Sequence, residues 1–292
     1  MHSKNPELEI IILTYNSQFW LKKALLSCKE FVIEKSKKNI VVTVVDNNSE
    51  DDSISMLKKE FKWVSVIESG QNLGFAAGNN LALKKTTARY AMLVNSDIEF
   101  TEHSNLDILI DFMNKNSEVG IVTPRIEFTD GNLDAACHRG EPTPWVMASF
   151  VLGLEKIFPA SKLFGGYHLG YKDFGTIHSI DACSGAGLLI RAELIKKIGL
   201  MDERYFMYAE DLDWCKQMRD AGYDIVYHPE VRVIHHKYKS GIKSSSQKIA
   251  RQTKRHFYNT MLQYYDKHYR SQYPELVRML IKYIVIFKLG AL

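Results

Sequence analysis

The first hundred residues alternate between unbroken apolar runs and segments whose apolar side chains recur at helical spacing. Leu8–Tyr15 (LEIIILTY) and Ile40–Val45 are such runs, ending in Thr14-Tyr15-Asn16 and Asp46-Asn47-Asn48-Ser49. An amphipathic segment from Ser17 to about Ile33 lies between them. A short helix (Asp52–Glu60), a strand (Trp63–Glu68), a Gly/Asn-rich turn and a helix to Lys85 follow. Another apolar strand, Tyr90–Val94, ends in Asn95-Ser96-Asp97. Continuous apolar strands alternating with helices predict an α/β fold with a mainly parallel central sheet covered on both faces. Polar residues recur just past the strand ends, the edge where such sheets bind ligands.

The pattern weakens from Ile121 to about Ile180, where Pro124, Asp130-Gly131, Pro142, Pro144 and Gly165-Gly166 predict loops and short strands. Ile180–Ile190 (IDACSGAGLLI) reads as a strand with small central residues, suited either to close ligand approach or to tight packing. Trp214, Met218 and Ala221 recur at helical spacing and Gly222 supplies a stop. Two short strands are then predicted, Asp224–Tyr227 and Val231–His235, turned by His228-Pro229-Glu230. Beyond His236, Ser244–Arg270 has the spacing of an amphipathic helix with a basic face, and Leu276–Leu289 is strongly apolar, broken by Arg278, Lys282 and Lys288. Such a helix suits an anionic membrane surface, or docking on the body or another subunit. The expected organisation is a catalytic unit over residues 1–236 and a basic helical extension over 237–292.

Composition adds little except through charge. A content of 46% hydrophobic and 25% charged residues is ordinary for a globular protein. The net charge of +4 conceals an asymmetry: from Lys237 onward twelve Lys and Arg face two acids, while the first 236 residues carry 26 bases and 32 acids. A basic tail on an acidic body points to an anionic surface as its partner; no nucleic-acid partner is expected, and homo-oligomerisation stays open. Four widely spaced cysteines without a CxxC pair fit neither a zinc site nor a disulfide framework, which favours a reducing cytoplasm. The beginning, MHSKNPELEI, has no signal-peptide core, and no stretch has the roughly 18–20 apolar residues needed to span a bilayer. The expected location is therefore cytoplasmic, peripheral on the inner face of the membrane.

The candidate chemistry gathers at Glu210, Asp211 and Asp213, which crowd the start of a predicted helix beside Tyr205-Phe206-Met207-Tyr208. Carboxylates there can take a proton from a hydroxyl; they can also simply answer the helix dipole and cap its N–H groups.

Seven motifs stand in order along the chain: LTYN at 13–16, VVDNNSEDDS at 44–53, NLGFAAGNN at 72–80, LVNSDIEF at 93–100, SGAGLLI at 184–190, DERYFMYAEDLDW at 202–214 and VIHH at 233–236. In this series the chain resembles the family 2 glycosyltransferases, inverting enzymes of the GT-A (nucleotide-diphospho-sugar transferase) fold, and most of all the bacterial rhamnosyltransferase group. The resemblance implies that Thr14, Tyr15, Asn16 and Asp46 hold the nucleoside, the Asp46 carboxylate accepting from an N–H of uracil or thymine. It implies that Asn72, Gly74, Gly78 and Asn79 line the nucleotide pocket, although such a glycine turn is also an ordinary loop-to-helix connection. Asn95-Ser96-Asp97 stands where the family keeps its metal motif, so Asn95 and Asp97 face the donor and Asp97 binds Mg²⁺ or Mn²⁺. His235 is implied as a second ligand, with His236 its rival. Asp211 becomes the general base, Glu210 orients the acceptor, and Trp214 offers either a sugar-stacking face or a core contact. Arg139 in CHRGEPTP reads as a surface arginine or a phosphate contact.

The activity implied is metal-dependent transfer of a sugar, rhamnose from dTDP-rhamnose or another sugar from a UDP donor, to a lipid-linked or surface-glycan hydroxyl. The rivals are a nucleotidyltransferase, for which the TYNSQ segment lacks a basic glycine-rich loop, and a membrane-bound scaffold or glycan-binding module that has kept the fold and lost catalysis.

Overall fold

The computed structural model describes residues 5–237 and 247–290. The strands are β1 (Leu8–Thr14), β2 (Ile40–Asp46), β3 (Ser65–Glu68), β4 (Tyr90–Asn95), β5 (Ile98–Phe100), β6 (Val119–Glu127), β7 (His178–Ile180), β8 (Gly187–Arg191) and β9 (Asp224–His235). The helices are α1 (Gln18–Cys28), α2 (Ser53–Glu60), α3 (Gly74–Leu83), α4 (Leu106–Lys115), α5 (Pro144–Val151), α6 (Leu154–Ile157), α7 (Ala192–Ile198), α8 (Glu210–Asp220), α9 (Gln247–His268) and α10 (Glu275–Gly290). The Ser244 start expected for the penultimate helix lies outside the described residues.

The strands form one sheet in the order β3-β2-β1-β4-β8-β6-β9-β5, with β7 also paired to β9. From β3 to β4 every pairing is parallel, as the apolar runs predict. Ile10, Ile11, Ile12, Val42, Val44 and Val45 are buried on both faces because helices cover each side. Beyond β4 the sheet is mixed rather than mainly parallel. β8 runs antiparallel to both β4 and β6, β5 and β7 run antiparallel to β9, and only β6 and β9 are parallel. The short strands β5, β7 and β8 supply the antiparallel pairings of that half, while the long strands β6 and β9 run parallel to each other.

Three sequence expectations are corrected. The two strands predicted on either side of His228-Pro229-Glu230 are one strand, β9. Pro124 pairs with His228 and Arg125 with Arg232, so residues 229–231 bulge out of the ladder without a turn. Pro124 and Pro229 have no N–H to donate, and a bulge tolerates that loss. The middle segment is more ordered than its punctuation suggests. It contains the long central strand β6 and helix α5, whose Thr143 hydroxyl accepts from Val146 N at 3.3 Å with Pro144 at the first helical position. Ile180–Ile190 is not one strand either: β7 ends at Ile180 and β8 begins at Gly187, with residues 181–186 outside both.

The C-terminal helices lie on the body. Tyr264 and Tyr265 of α9 and Tyr269 just past its end join the main core, and Lys267 Nζ and His268 Nε2 meet the fully buried Asp213 of α8 at 2.7 and 2.6 Å. Val285 of α10 is buried, whereas Leu276, Met279, Leu280, Tyr283, Ile286 and Phe287 leave an apolar face exposed. No helix among the described residues is long and apolar enough to cross a membrane. All four cysteines are buried and free.

Candidate active site

The parallel register levels the strand ends: Thr14 pairs with Asp46, and Leu13 with Val45 on one side and Asn95 on the other. A cavity of about 440 Å³ opens over this edge, lined by Thr14, Tyr15, Asn72, Gly74, Asn95, Asp97, Glu210, Asp211 and His235 among others. Residues up to 271 apart in the chain, from Leu13 to Ile284, therefore face one space.

The turn into α3 is locked from both sides. Asn47 Nδ2 donates to Asn72 Oδ1 (3.0 Å) and Gly74 O (3.1 Å), and Asn47 Oδ1 accepts from Leu73 N (2.9 Å). Gly74 has φ +80°, and a Cβ there would meet Phe206 O at 2.3 Å. Phe75 N donates to the same carbonyl at 2.8 Å, so the glycine brings this turn against the segment that leads into α8. Gly78 serves packing instead: its Cβ would meet Leu13 Cδ1 at 2.6 Å, and it lets α3 sit on β1 without reaching the cavity.

The other predicted residues off the cavity wall have definite places. Asn79 is buried and donates to Phe75 O at 3.0 Å. Asn16 is exposed at φ 49° and accepts from Glu50 N at 2.7 Å, tying together the loops after β1 and β2. Asp46 is buried beside the edge; its Oδ2 accepts from Ser49 N at 3.0 Å, while Oδ1 has no partner among the described residues. Trp214 takes the core-contact alternative, fully buried with Nε1 donating to Gly199 O at 3.0 Å.

Asp97 and His235 meet because β5 pairs with β9: Ile98 stands opposite His235, and His236 N donates to Asp97 O at 2.9 Å. His235 Nε2 lies 3.2 Å from Asp97 Oδ1, and Nδ1 lies 2.8 Å from Asp134 Oδ2. Burial opposes charge on His235, but hydrogen bonds to Asp134 and Asp97 win and raise its pKa. Burial likewise works to raise Asp134, yet the His235 hydrogen bond and the Lys237 charge hold it down at about 2. His236 faces elsewhere, stacked on Trp20 at 4.6 Å and bonded to Glu99. Among the described residues no three His, Cys, Asp or Glu side chains cluster as a metal cage. One carboxylate and one imidazole braced by a second carboxylate still fit a divalent cation that takes its remaining ligands from a diphosphate and water.

At α8, Tyr208 and Ala209 hold positive φ (71° and 69°), a conformation uncommon for side chains with a Cβ. This kink swings Glu210 and Asp211 onto the cavity. Asp211 Oδ2 accepts from Arg139 Nη2 at 2.7 Å, and Oδ1 from Leu212 N at 2.7 Å. Arg139 is not the surface arginine expected from sequence: it is 8% exposed, and its Nη2 also donates to Cys183 O at 2.7 Å. Backbone bonds between Arg139 and Ala182 hold it beneath Asp211. Glu210 is buried with Oε2 unpartnered among the described residues; burial first, and the neighbouring Asp211 charge second, push it up to about 8.

The contacts of Arg139 with Asp211, of Asp134 with His235 and of α9 with Asp213 escape sequence reasoning, because each partner lies 54 to 101 residues away. Asn47 was within reach, since it follows Asp46 at a strand end.

The family model described as "Glycosyl transferase family 2" matches residues 9–195. N-acetylglucosaminyl-diphospho-decaprenol L-rhamnosyltransferase of Mycobacterium tuberculosis is 24% identical over 246 residues, covering 79% of this chain and 76% of its own. Rhamnosyltransferase WbbL of Escherichia coli is 24% identical over 238 residues, covering 78% and 82%. Among solved structures, GalNAc-T7 with UDP, GalNAc and Mn²⁺ superposes with a TM-score of 0.61 at 14% identity, over 87% of this chain and 48% of that one. Mannosyltransferase PcManGT from Pyrobaculum calidifontis, in complex with GDP-Man and Mn²⁺, gives 0.58 at 15% identity, over 99% and 73%. The strand-end motifs from LTYN to SGAGLLI fall within the matched region, and the fold is that of the GT-A transferases; the chain belongs to glycosyl transferase family 2 and is a glycosyltransferase.

Proposed function

We propose that this glycosyltransferase inverts the configuration of the sugar it moves, from a nucleotide-diphosphate donor to a hydroxyl of a lipid-linked or growing surface glycan, with rhamnose from dTDP-rhamnose as the donor of choice. The rhamnosyltransferase relatives support the sugar. The observation that carries the reading is a single cavity walled by Asp97 and His235 together with Asp211.

The nucleoside lies over the ends of β1 and β2 against Thr14 and Tyr15, with Asn72 and Gly74 at the turn into α3. The unpartnered Asp46 Oδ1 is an acceptor suited to the N–H of thymine or uracil. Asn95, Asp97 and His235 face the diphosphate. Asp97 and His235 are the residues that would hold Mg²⁺ or Mn²⁺, and a cation there would offset the negative charge of the leaving nucleoside diphosphate. Asp211 takes the proton of the acceptor hydroxyl as its oxygen bonds to the anomeric carbon and the bond from that carbon to phosphate breaks. Arg139 fixes the orientation of this carboxylate. Glu210, protonated at neutral pH, donates a hydrogen bond to the acceptor and does not compete for its proton. The exposed face of α10 and the basic C-terminal charge suit peripheral attachment to an anionic membrane.

Thermal-shift and transfer assays with dTDP-rhamnose, UDP sugars and GDP sugars, each with and without Mn²⁺, test the reading. The expected result is selective, Mn²⁺-dependent stabilisation and transfer with dTDP-rhamnose. Asp211→Asn should abolish transfer and leave donor binding intact. Wild-type turnover by that variant would remove the base assignment, and preference for a UDP sugar would overturn the rhamnose donor.

A further inference from the structure

The polar groups of the transfer site account for only part of the cavity wall. Much of the remainder is hydrocarbon, from three helices that hold none of the residues assigned to the donor: Met147 and Val151 of α5, Phe257 and Met261 of α9, and Ile281 and Ile284 of α10. Each pair is spaced three or four residues apart, so it occupies one face of its helix. Hydroxyls on this wall are largely engaged already. Thr260 donates to Phe257 O at 3.0 Å and Tyr264 to Glu141 at 3.2 Å, which leaves Tyr265 to offer a single hydroxyl. A sugar or a nucleotide placed there would leave most of its polar atoms without partners. The outward sides of α5 and α10 are apolar as well, with Trp145, Leu280 and Tyr283 exposed. Of the three helices, α5 lies inside the family match, whereas α9 and α10 lie beyond residue 195, where it ends, so their share of this wall belongs to the part of the chain that can differ between transferases sharing the donor machinery.

We propose that the arm of the cavity bounded by α5, α9 and α10 binds the hydrocarbon chain of the acceptor, leaving its glycan hydroxyl at Asp211. The inference rests on the reading of a lipid-linked acceptor and deepens it, assigning the chain to a site inside the protein rather than to the bilayer alone. Asp211 and the apolar helices line one continuous space, so a single ligand can reach both.

The probes are butyl, octyl and dodecyl phosphate below their micelle concentrations, with inorganic phosphate as the chain-free control, titrated calorimetrically into the full chain. Affinity is expected to rise about fourfold per methylene until the arm is filled, the increment for burying one such group. Val151→Trp and Ile284→Trp, which occupy the arm, should each weaken dodecyl phosphate about tenfold or more and leave dTDP affinity unchanged. Leu280→Ser and Tyr283→Ser on the outward face should leave dodecyl phosphate affinity unchanged. Affinity independent of chain length in the wild type would overturn the proposal even if the tryptophan variants failed to fold. Equal weakening by the outward variants, or wild-type affinity in folded tryptophan variants, would overturn it too. Failure of every nucleotide sugar to bind would count against the donor reading and leave the chain-length result to decide this site.

Discussion

Arg139→Met separates a surface arginine from a buried one. The Arg139 and Asp211 side chains are 9% and 12% exposed and 2.7 Å apart. Methionine keeps most of the length but removes the charge and the forked donors. Asp211 then keeps its bond from Leu212 N and a long 3.4 Å approach from Gly185 N, and Cys183 O loses its guanidinium donor. Removing one partner of a buried ion pair costs about 3–5 kcal/mol, and a lost hydrogen bond adds about 1 kcal/mol. The total of roughly 4–6 kcal/mol compares with a typical folding stability of about 5–15 kcal/mol. A surface substitution would instead fall within about 0.5 kcal/mol. Urea unfolding of the wild type, Arg139→Met, Asp211→Asn and the double variant measures the difference and the coupling. The double variant should lose about 2–3 kcal/mol less than the two single losses combined, since it leaves no buried charge unpaired. Where Arg139→Met folds, kcat should fall about 10²-fold with donor affinity unchanged, because the base loses its orientation. A loss below about 1 kcal/mol, or strict additivity in the double variant, would refute the reasoning.

Gly74→Ala should destabilise the protein by more than about 2 kcal/mol and weaken nucleotide binding, whereas Gly70→Ala, at φ +75° with nothing within 4 Å, should cost about 1 kcal/mol; thermal melts compare the two, and equal losses would remove the close approach to Phe206 as the cause. Asp97→Ala should lower Mn²⁺-dependent donor affinity about tenfold or more by calorimetry, and undiminished binding would end its metal role. Glu210 has a folded pKa raised above its ordinary value of 4.5, so the folded state holds the proton more tightly and stability drops as pH rises from about 4.5 to about 8. Glu210→Gln should flatten that fall in melts at pH 5, 7 and 9, and a parallel decline in both proteins would refute it. Leu280→Ser, Tyr283→Ser and Phe287→Ser combined should weaken sedimentation with anionic liposomes about tenfold or more; unchanged binding would place the attachment elsewhere.

The parallel half of the sheet was legible because its information is local. Leu8–Thr14 and Ile40–Asp46 can be buried on both faces only as inner strands, and the polar residues closing them must then fall at one edge. The Glu210-Asp211 pair was legible for a similar reason, since its position at a helix start follows from spacing. Other features required contacts between distant segments. Arg139 carries no sign of burial in CHRGEPTP; only its pairing with Ala182 beneath α8 makes it the partner of Asp211. Gly78 and Trp214 carry the family pattern, yet packing against Leu13 and Gly199 turns them toward the core. Local pattern thus determined which segments are strands, which edge they share and which acids stand at it. Tertiary structure decided which of those polar groups face a common space and which are used up in holding it, because a side chain's partners depend on what folds against it, and no spacing along the chain records that.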